Sequence, residues 1–200
     1  MPSSRSRRPT PSEPAASPAT ADADPPVVDT ATDDTPPPGV RLELYLLRHA
    51  DAGDPMAWKG DDADRPLSGK GRRQARRVGR WLADLGRAPD AILTSPKARA
   101  LQTATIVAGA LGLKPMVDER LGGPLDHEVI GSLIAAAGAD ARRVMLVGHD
   151  PDFSSMASSL SGGPVSLRKG AVARIDLSEG AGSGSGILRW LVPADALPER

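Results

Sequence analysis

The chain has 200 residues and no net formal charge, 25 basic side chains balancing 25 acidic ones, and it contains no cysteine. Disulfides and thiolate metal sites are thereby excluded, and the composition is compatible with a reducing cytosol. With three Trp, one Tyr and one Phe, and no stripe that mixes them with basic residues, nucleic acid is not indicated as a partner; no apolar run reaches membrane-spanning length.

Residues 1–39 hold ten of the twenty prolines, together with Ser, Thr, Ala and Asp and almost no large apolar side chain. Such a segment cannot bury enough surface to offset the entropy of ordering, so a disordered tail is expected before one domain over residues 40–200. Arg5, Arg7 and Arg8 open the tail, but no apolar stretch of signal-peptide length follows. Neither secretion nor a membrane anchor is supported, and a cytoplasmic location is expected.

From residue 40 onward strand and helix patterns alternate, which predicts a mostly parallel open sheet with helices on both faces, a three-layer α/β/α sandwich. The apolar run Leu42–Leu47 leads directly into Arg48-His49-Ala50. Asp51, Asp54, Asp61, Asp62 and Asp64 crowd the next loop, without the spacing or closing Glu of a calcium loop, so no metal is expected. Trp58 in that loop either gates a pocket, anchors a partner or packs over the sheet edge. In the first helix Ala75, Val78, Leu82 and Leu85 recur at spacings of three and four, while Arg72, Arg73, Arg76, Arg77 and Arg80 fill the other side. That arginine run reads as a solvated face, with an acidic partner protein as the second reading.

The second strand, Ala91–Ser95, runs into Pro96-Lys97-Ala98-Arg99. Ser95 followed by Pro96 predicts a helix N-terminus there, with Arg99 about one turn in, where guanidinium and helix dipole favour the same anion. His127, between Asp126 and Glu128, belongs to the charged first turn of a further helix. A third strand, Val144–Gly148, delivers His149, after which Asp150-Pro151 is expected to cap the next helix. Two last strands, Ala171–Leu177 and Ile187–Val192, flank Gly182-Ser183-Gly184-Ser185-Gly186, which reads as a hairpin connection giving the sheet an antiparallel C-terminal edge. Neither this run nor Gly69-Lys70 has the placement of a nucleotide-binding loop.

Open parallel α/β sheets bind ligands at the carboxyl ends of their strands. Three strand ends here carry two Arg and two His, so Arg48, His49, Arg99 and His149 are expected to meet in one phosphate-binding, catalytic pocket. A phosphoryl group needs positive donors in the transition state, which Arg48 and Arg99 supply bidentately and one of the two histidines supplements. One histidine attacks phosphorus, which requires an unprotonated nitrogen, and nearby guanidinium groups are expected to keep it neutral. The residues alone leave open which histidine that is.

At these residues the chain resembles the histidine phosphatase superfamily, the phosphoglycerate-mutase-like enzymes, whose first strand ends in Arg-His-Gly or Arg-His-Ala. Pro66-Leu67-Ser68-Gly69-Lys70-Gly71-Arg72-Arg73-Gln74-Ala75 is similar to the family's entry into its first helix. Ser95 to Ala104 resembles its Ser-x-x-x-Arg-Ala-x-Gln-Thr-Ala block, and Val147-Gly148-His149 its Gly-His strand end. The domain leaves no room for the helical insertions of larger members; with Arg65-Pro66-Leu67 and Lys169–Ala173, it most resembles the compact SixA-type phosphohistidine phosphatases.

The resemblance implies a phosphoglycerate-mutase-like fold and a two-step transfer: His49 as nucleophile, His149 as stabilising donor, a covalent phosphohistidine, then water, with no metal or cofactor. The implied partner is a protein carrying phosphohistidine. The alternatives are a phosphatase of small phosphate esters and a phosphoprotein-binding module without turnover. Where larger members carry an Asn after the first motif, this chain has Asp54-Pro55, and no carboxylate clearly fills their general-acid position. Asp51, Glu119, Asp126 and Glu128 are the candidates, each also readable as a surface or capping residue.

Overall fold

The computed structural model describes residues 39–178 and 181–198, so the expectation for the tail over residues 1–38 lies outside the described residues. The strands are β1 (Leu42–Arg48), β2 (Ala91–Thr94), β3 (Met116–Val117), β4 (Arg143–Gly148), β5 (Val172–Leu177) and β6 (Gly186–Val192). The helices are α1 (Gly69–Asp84), α2 (Ala98–Leu111), α3 (His127–Ala136) and α4 (Asp152–Ser161). They form one six-stranded sheet in the order β3-β2-β4-β1-β5-β6. β3, β2, β4 and β1 run parallel, whereas β5 and β6 are antiparallel additions at the C-terminal edge.

Strand residues alternate faces with period two, and this divides the core. Leu44, Leu46, Val144 and Leu146 face Ile130 and Leu133 of α3 and Phe153, Met156 and Leu160 of α4. Tyr45, Leu47, Met145 and Val147 face Ala75, Val78 and Leu82 of α1 and Ala100, Ala104 and Val107 of α2. Helices therefore cover both faces, giving three layers. Each fully buried Leu or Val contributes about 1.5–3 kcal/mol relative to exposure, so both faces carry the stability of the sheet. Charge is also buried: Glu43 of β1 and Asp176 of β5 are register partners that would repel, and Arg87 and Arg174 neutralise them through contacts of 2.7–3.2 Å.

The register levels three strand ends. Arg48 pairs with Gly148 and Thr94 with Val147, so the chain leaves β1, β4 and β2 side by side. Gly148 is required there, because a Cβ would sit 2.6 Å from the Phe153 ring.

Local expectations were corrected in three places. The second helix begins at Ala98 with Lys97 as N-cap and no side-chain cap, rather than being capped by Ser95. Leu85 lies at the end of α1 and is exposed, while Gly71, Gln74 and Gly79 join the buried face. Trp58 is 39% exposed in the loop after β1, its Nε1 donating to the Asp61 carbonyl at 2.8 Å. The N-cap of α4 is Pro151, with no side-chain cap, rather than Asp150, whose Oδ1 accepts from Ser154 N at 3.2 Å and Ser154 Oγ at 2.7 Å.

Candidate active site

The first strand end is fixed from three sides before any side chain is considered. His49 N donates to Gly148 O at 2.9 Å, and Gly170 N donates to the carbonyls of Arg48 and His49 at 3.2 and 3.1 Å. Ala50 N donates to Thr103 Oγ1 at 3.1 Å, and that hydroxyl donates to Arg99 O at 2.7 Å. Asp51 N donates to Gln74 Oε1 at 2.9 Å. The turn of α1 carrying Gly71 lies so close that a Cβ there would stand 1.9 Å from Asp51 O. The family-like Gly-x-x-Gln and Gln-Thr pairs thus clamp the loop behind His49.

That clamp sets the histidine's tautomer. His49 Nδ1 lies 2.8 Å from the carbonyl oxygen of Ala50, a contact that is favourable only when Nδ1 carries the proton, so Nε2 keeps its lone pair. Burial pulls the ring's pKa down to about 4; the Ala50 carbonyl opposes this, and Arg99, Arg48 and Lys169 reinforce it. The expected neutrality holds, but its leading cause is desolvation rather than the guanidinium groups.

His149 stands across the cleft, its ring centroid 5.2 Å from that of His49. Its Nε2 is 2.8 Å from Ser95 Oγ, and its buried Nδ1 has no partner. Burial lowers its pKa to about 3, helped by His49, Arg99 and Lys97 and opposed by Asp62.

The two arginines are held alike. Arg48 donates through NH1 to Leu167 O at 2.7 Å and lies 3.5 Å from Asp150 Oδ2. Arg99 donates through NH1 to Asp62 O at 2.7 Å and pairs through NH2 with Asp62 Oδ2 at 3.1 Å. In each, Nε is buried and unpartnered. Among the described residues, the buried side-chain polar atoms without a hydrogen bond are three nitrogens: Arg48 Nε, Arg99 Nε and His149 Nδ1. Buried donors are almost always satisfied in folded proteins, so three orphans on these residues describe a site shaped for an acceptor-rich anion.

The sheet thus brings together all four residues expected to meet. The carboxylates named above as acid candidates each have another partner or lie exposed. Burial pushes the Asp51 carboxyl up, but hydrogen bonds from Ser68 Oγ and Gly53 N and the ammonium of Lys169 outweigh it and hold the group at about 2. Asp126 caps α3 through Val129 N, and Glu119 and Glu128 are exposed in first helical turns. His127 is tied to Ala181 O and Ser159 Oγ, as a helix-end residue. Asp54 caps the short turn Pro55–Ala57 by accepting from Met56 N. Among the described residues no group of three or more His, Cys, Asp or Glu is placed to hold a metal ion.

Sequence reasoning missed Asp62, whose carboxylate joins Arg65 Nε at 2.8 Å to Arg99 NH2 at 3.1 Å. Only the Arg65-Pro66-Leu67 pattern hinted at it, since Arg65 holds the loop through Ala52 O at 2.8 Å.

The model of the histidine phosphatase superfamily (branch 1) matches residues 44–122. An uncharacterized protein of Picosynechococcus sp. is 38% identical over 150 residues, covering 70% of this chain and 87% of the relative. The crystal structure of the putative phosphohistidine phosphatase SixA from Agrobacterium tumefaciens superposes with a TM-score of 0.60 at 28% identity, covering 76% of this chain and 97% of that one. A protein histidine phosphatase SixA complexed with tungstate shares the fold, with a TM-score of 0.65 at 24% identity over 77% and 98% of the two chains. The chain belongs to the histidine phosphatase superfamily, with the compact SixA-like, phosphoglycerate-mutase-like fold. Membership makes it an enzyme of the phosphatase and mutase class. Among the described residues no helix is long and apolar enough to cross a membrane.

Proposed function

We propose that this protein is a cytoplasmic phosphatase that removes phosphate from phosphohistidine on a protein, with His49 as nucleophile and Arg48, Arg99 and His149 as phosphate-binding catalytic residues. One observation carries the reading: His49 is fixed by the Ala50 carbonyl in the tautomer that frees Nε2, within a cleft whose unpartnered nitrogens are Arg48 Nε, Arg99 Nε and His149 Nδ1.

The chemistry follows from that arrangement. Nε2 attacks phosphorus, and the phosphoryl oxygens take the three orphaned donors as charge develops on them. The donors are already oriented by carbonyls and carboxylates, so little reorganisation is needed during reaction. The phosphoryl group rests on His49 as a covalent phosphoramidate, and water then attacks it, regenerating the neutral ring.

Phosphohistidine is favoured as substrate because the site offers no assigned general acid. An alkoxide leaving group has a conjugate acid with a pKa near water's 15.7, whereas imidazole leaves from a ring whose pKa is about 6.5. A positioned acid is worth roughly 10²–10⁴-fold to the first and little to the second. The test is turnover of a phosphohistidine protein beside phosphoserine and small esters. The reading expects phosphohistidine to lead by a margin of that order; equal efficiency on phosphoserine would give first place to an ester phosphatase.

A further inference from the structure

We infer that Asp62 is a specificity-determining residue that receives the cationic ring of phosphohistidine at the mouth of the cleft and disfavours phosphate esters; the inference rests on the function proposed above. Three carboxylates border the site, and two are absorbed by their own loops. Asp51 accepts from Ser68 Oγ and Gly53 N and meets Lys169, while Asp150 accepts from Ser154. Asp62 is also tied within its own loop, to Arg65 Nε at 2.8 Å, but its second partner is Arg99 of the site, at 3.1 Å. It lies at the start of the turn Asp62–Asp64 with its side chain 57% exposed, while its partners Arg65 and Arg99 are 10% and 8% exposed. It is therefore an exposed carboxylate paired with the buried arginine to which the proposed function gives phosphate binding.

For a site that binds only phosphate this placement is adverse, because a carboxylate beside Arg99 competes with the incoming anion and repels it. The placement becomes useful when the group attached to phosphorus is positive. A phosphorylated imidazole protonated on its second nitrogen carries a cation that a phosphate ester lacks. As the bond from His49 Nε2 to phosphorus forms, the P–N bond of the substrate breaks and its electron pair stays on the departing nitrogen. The second ring nitrogen keeps its proton, so the ring leaves neutral and no proton is drawn from the enzyme. Asp62 stabilises the charged ring on arrival, which places its effect mainly in KM.

The test compares wild-type enzyme with Asp62→Asn and Asp62→Glu on a phosphohistidine protein and on an aryl phosphate, with inorganic phosphate as a competitive inhibitor of both reactions. A half-exposed ion pair of this kind is worth roughly three- to fivefold. Asp62→Asn is expected to lower kcat/KM for phosphohistidine, through KM, by about that factor more than it lowers kcat/KM for the aryl phosphate, and to tighten phosphate inhibition. Asp62→Glu is expected to keep the wild-type preference. If wild-type enzyme does not turn over phosphohistidine, the proposed function fails and this inference with it. If it does, and Asp62→Asn lowers both substrates equally, Asp62 merely orients Arg99 and the inference alone is overturned.

Discussion

Ser95 Oγ lies 2.8 Å from Nε2 of His149, so only Nδ1 of that ring is left to meet an anion. Ser95 is fully buried and its amide is fixed by Val147 O at 3.0 Å, which makes the hydroxyl a rigid stop for the imidazole. Removing one such hydrogen bond is worth about 1–1.5 kcal/mol, or roughly tenfold in rate when the bond orients a reacting group. Ser95→Ala is expected to lower kcat about tenfold with an unchanged fold by circular dichroism. Ser95→Thr, which restores the hydroxyl, should recover part of the loss. An unaltered kcat in Ser95→Ala would show that His149 needs no such support.

Stability should depend on pH through the two site histidines. Their folded pKa values, about 4 for His49 and about 3 for His149, lie below the ordinary 6.5. The unfolded chain therefore binds more protons between those values and 6.5, and stability falls as pH falls through that window. Asp51 and Asp62, also depressed, add their loss only as pH drops through the ordinary carboxylate range near 4 and below. Melting temperature is expected to decline from pH 6.5 to 5, and His49→Gln should flatten the decline. A wild-type curve already flat over that range would contradict the buried neutral assignment.

Gly71 and Gly109 form a matched pair of helical glycines. At Gly71 a Cβ would collide with Asp51 backbone, whereas at Gly109 in α2 it would meet nothing within 4 Å. Gly71→Ala is expected to destabilise by about 2 kcal/mol or more, because backbone must move, and to lower activity by shifting the loop behind His49. Gly109→Ala should be neutral or stabilising by up to about 1 kcal/mol. Thermal melts of the two variants decide the matter; equal effects would mean that α1 does not brace this loop.

Much of the site was legible because it sits at strand ends. Apolar runs of strand length mark β1, β2 and β4, and the rule for parallel sheets then brings Arg48, His49, Arg99 and His149 together. What could not be read depends on contacts between distant loops. Ser95 looked like a helix cap because its residue type and the following proline fit one, yet its hydroxyl is engaged by His149, 54 residues away. Asp62 was one of five acidic residues in a loop, and nothing in local sequence marks the one that reaches Arg99, 37 residues on. The neutral state of His49 was expected from its charged neighbours, while its leading cause, burial, required the packing of α1 and α2 over the strand end. The family-like Gly71, Gln74 and Thr103 were visible as a pattern, but their work on the Asp51 and Ala50 backbone was not.

Single neutralisation of the remaining carboxylates tests the absence of a dedicated acid. Glu119→Gln and Glu128→Gln alter exposed groups, and Asp126→Asn keeps a residue that caps a helix well. Each is expected to leave phosphohistidine turnover within about twofold, far from the roughly 10²–10⁴-fold expected of an acid. Collapse of turnover in one of them would identify the missing proton donor and favour ester substrates.

The central claim is that phosphate passes through Nε2 of His49. Rapid quenching of the enzyme during turnover of a phosphate-labelled substrate, followed by peptide mapping, addresses it directly. The account predicts label on His49, lost in acid and retained in base as a phosphoramidate is, with neither label nor turnover in His49→Ala. Label on His149 instead, or normal turnover by His49→Ala, would contradict it.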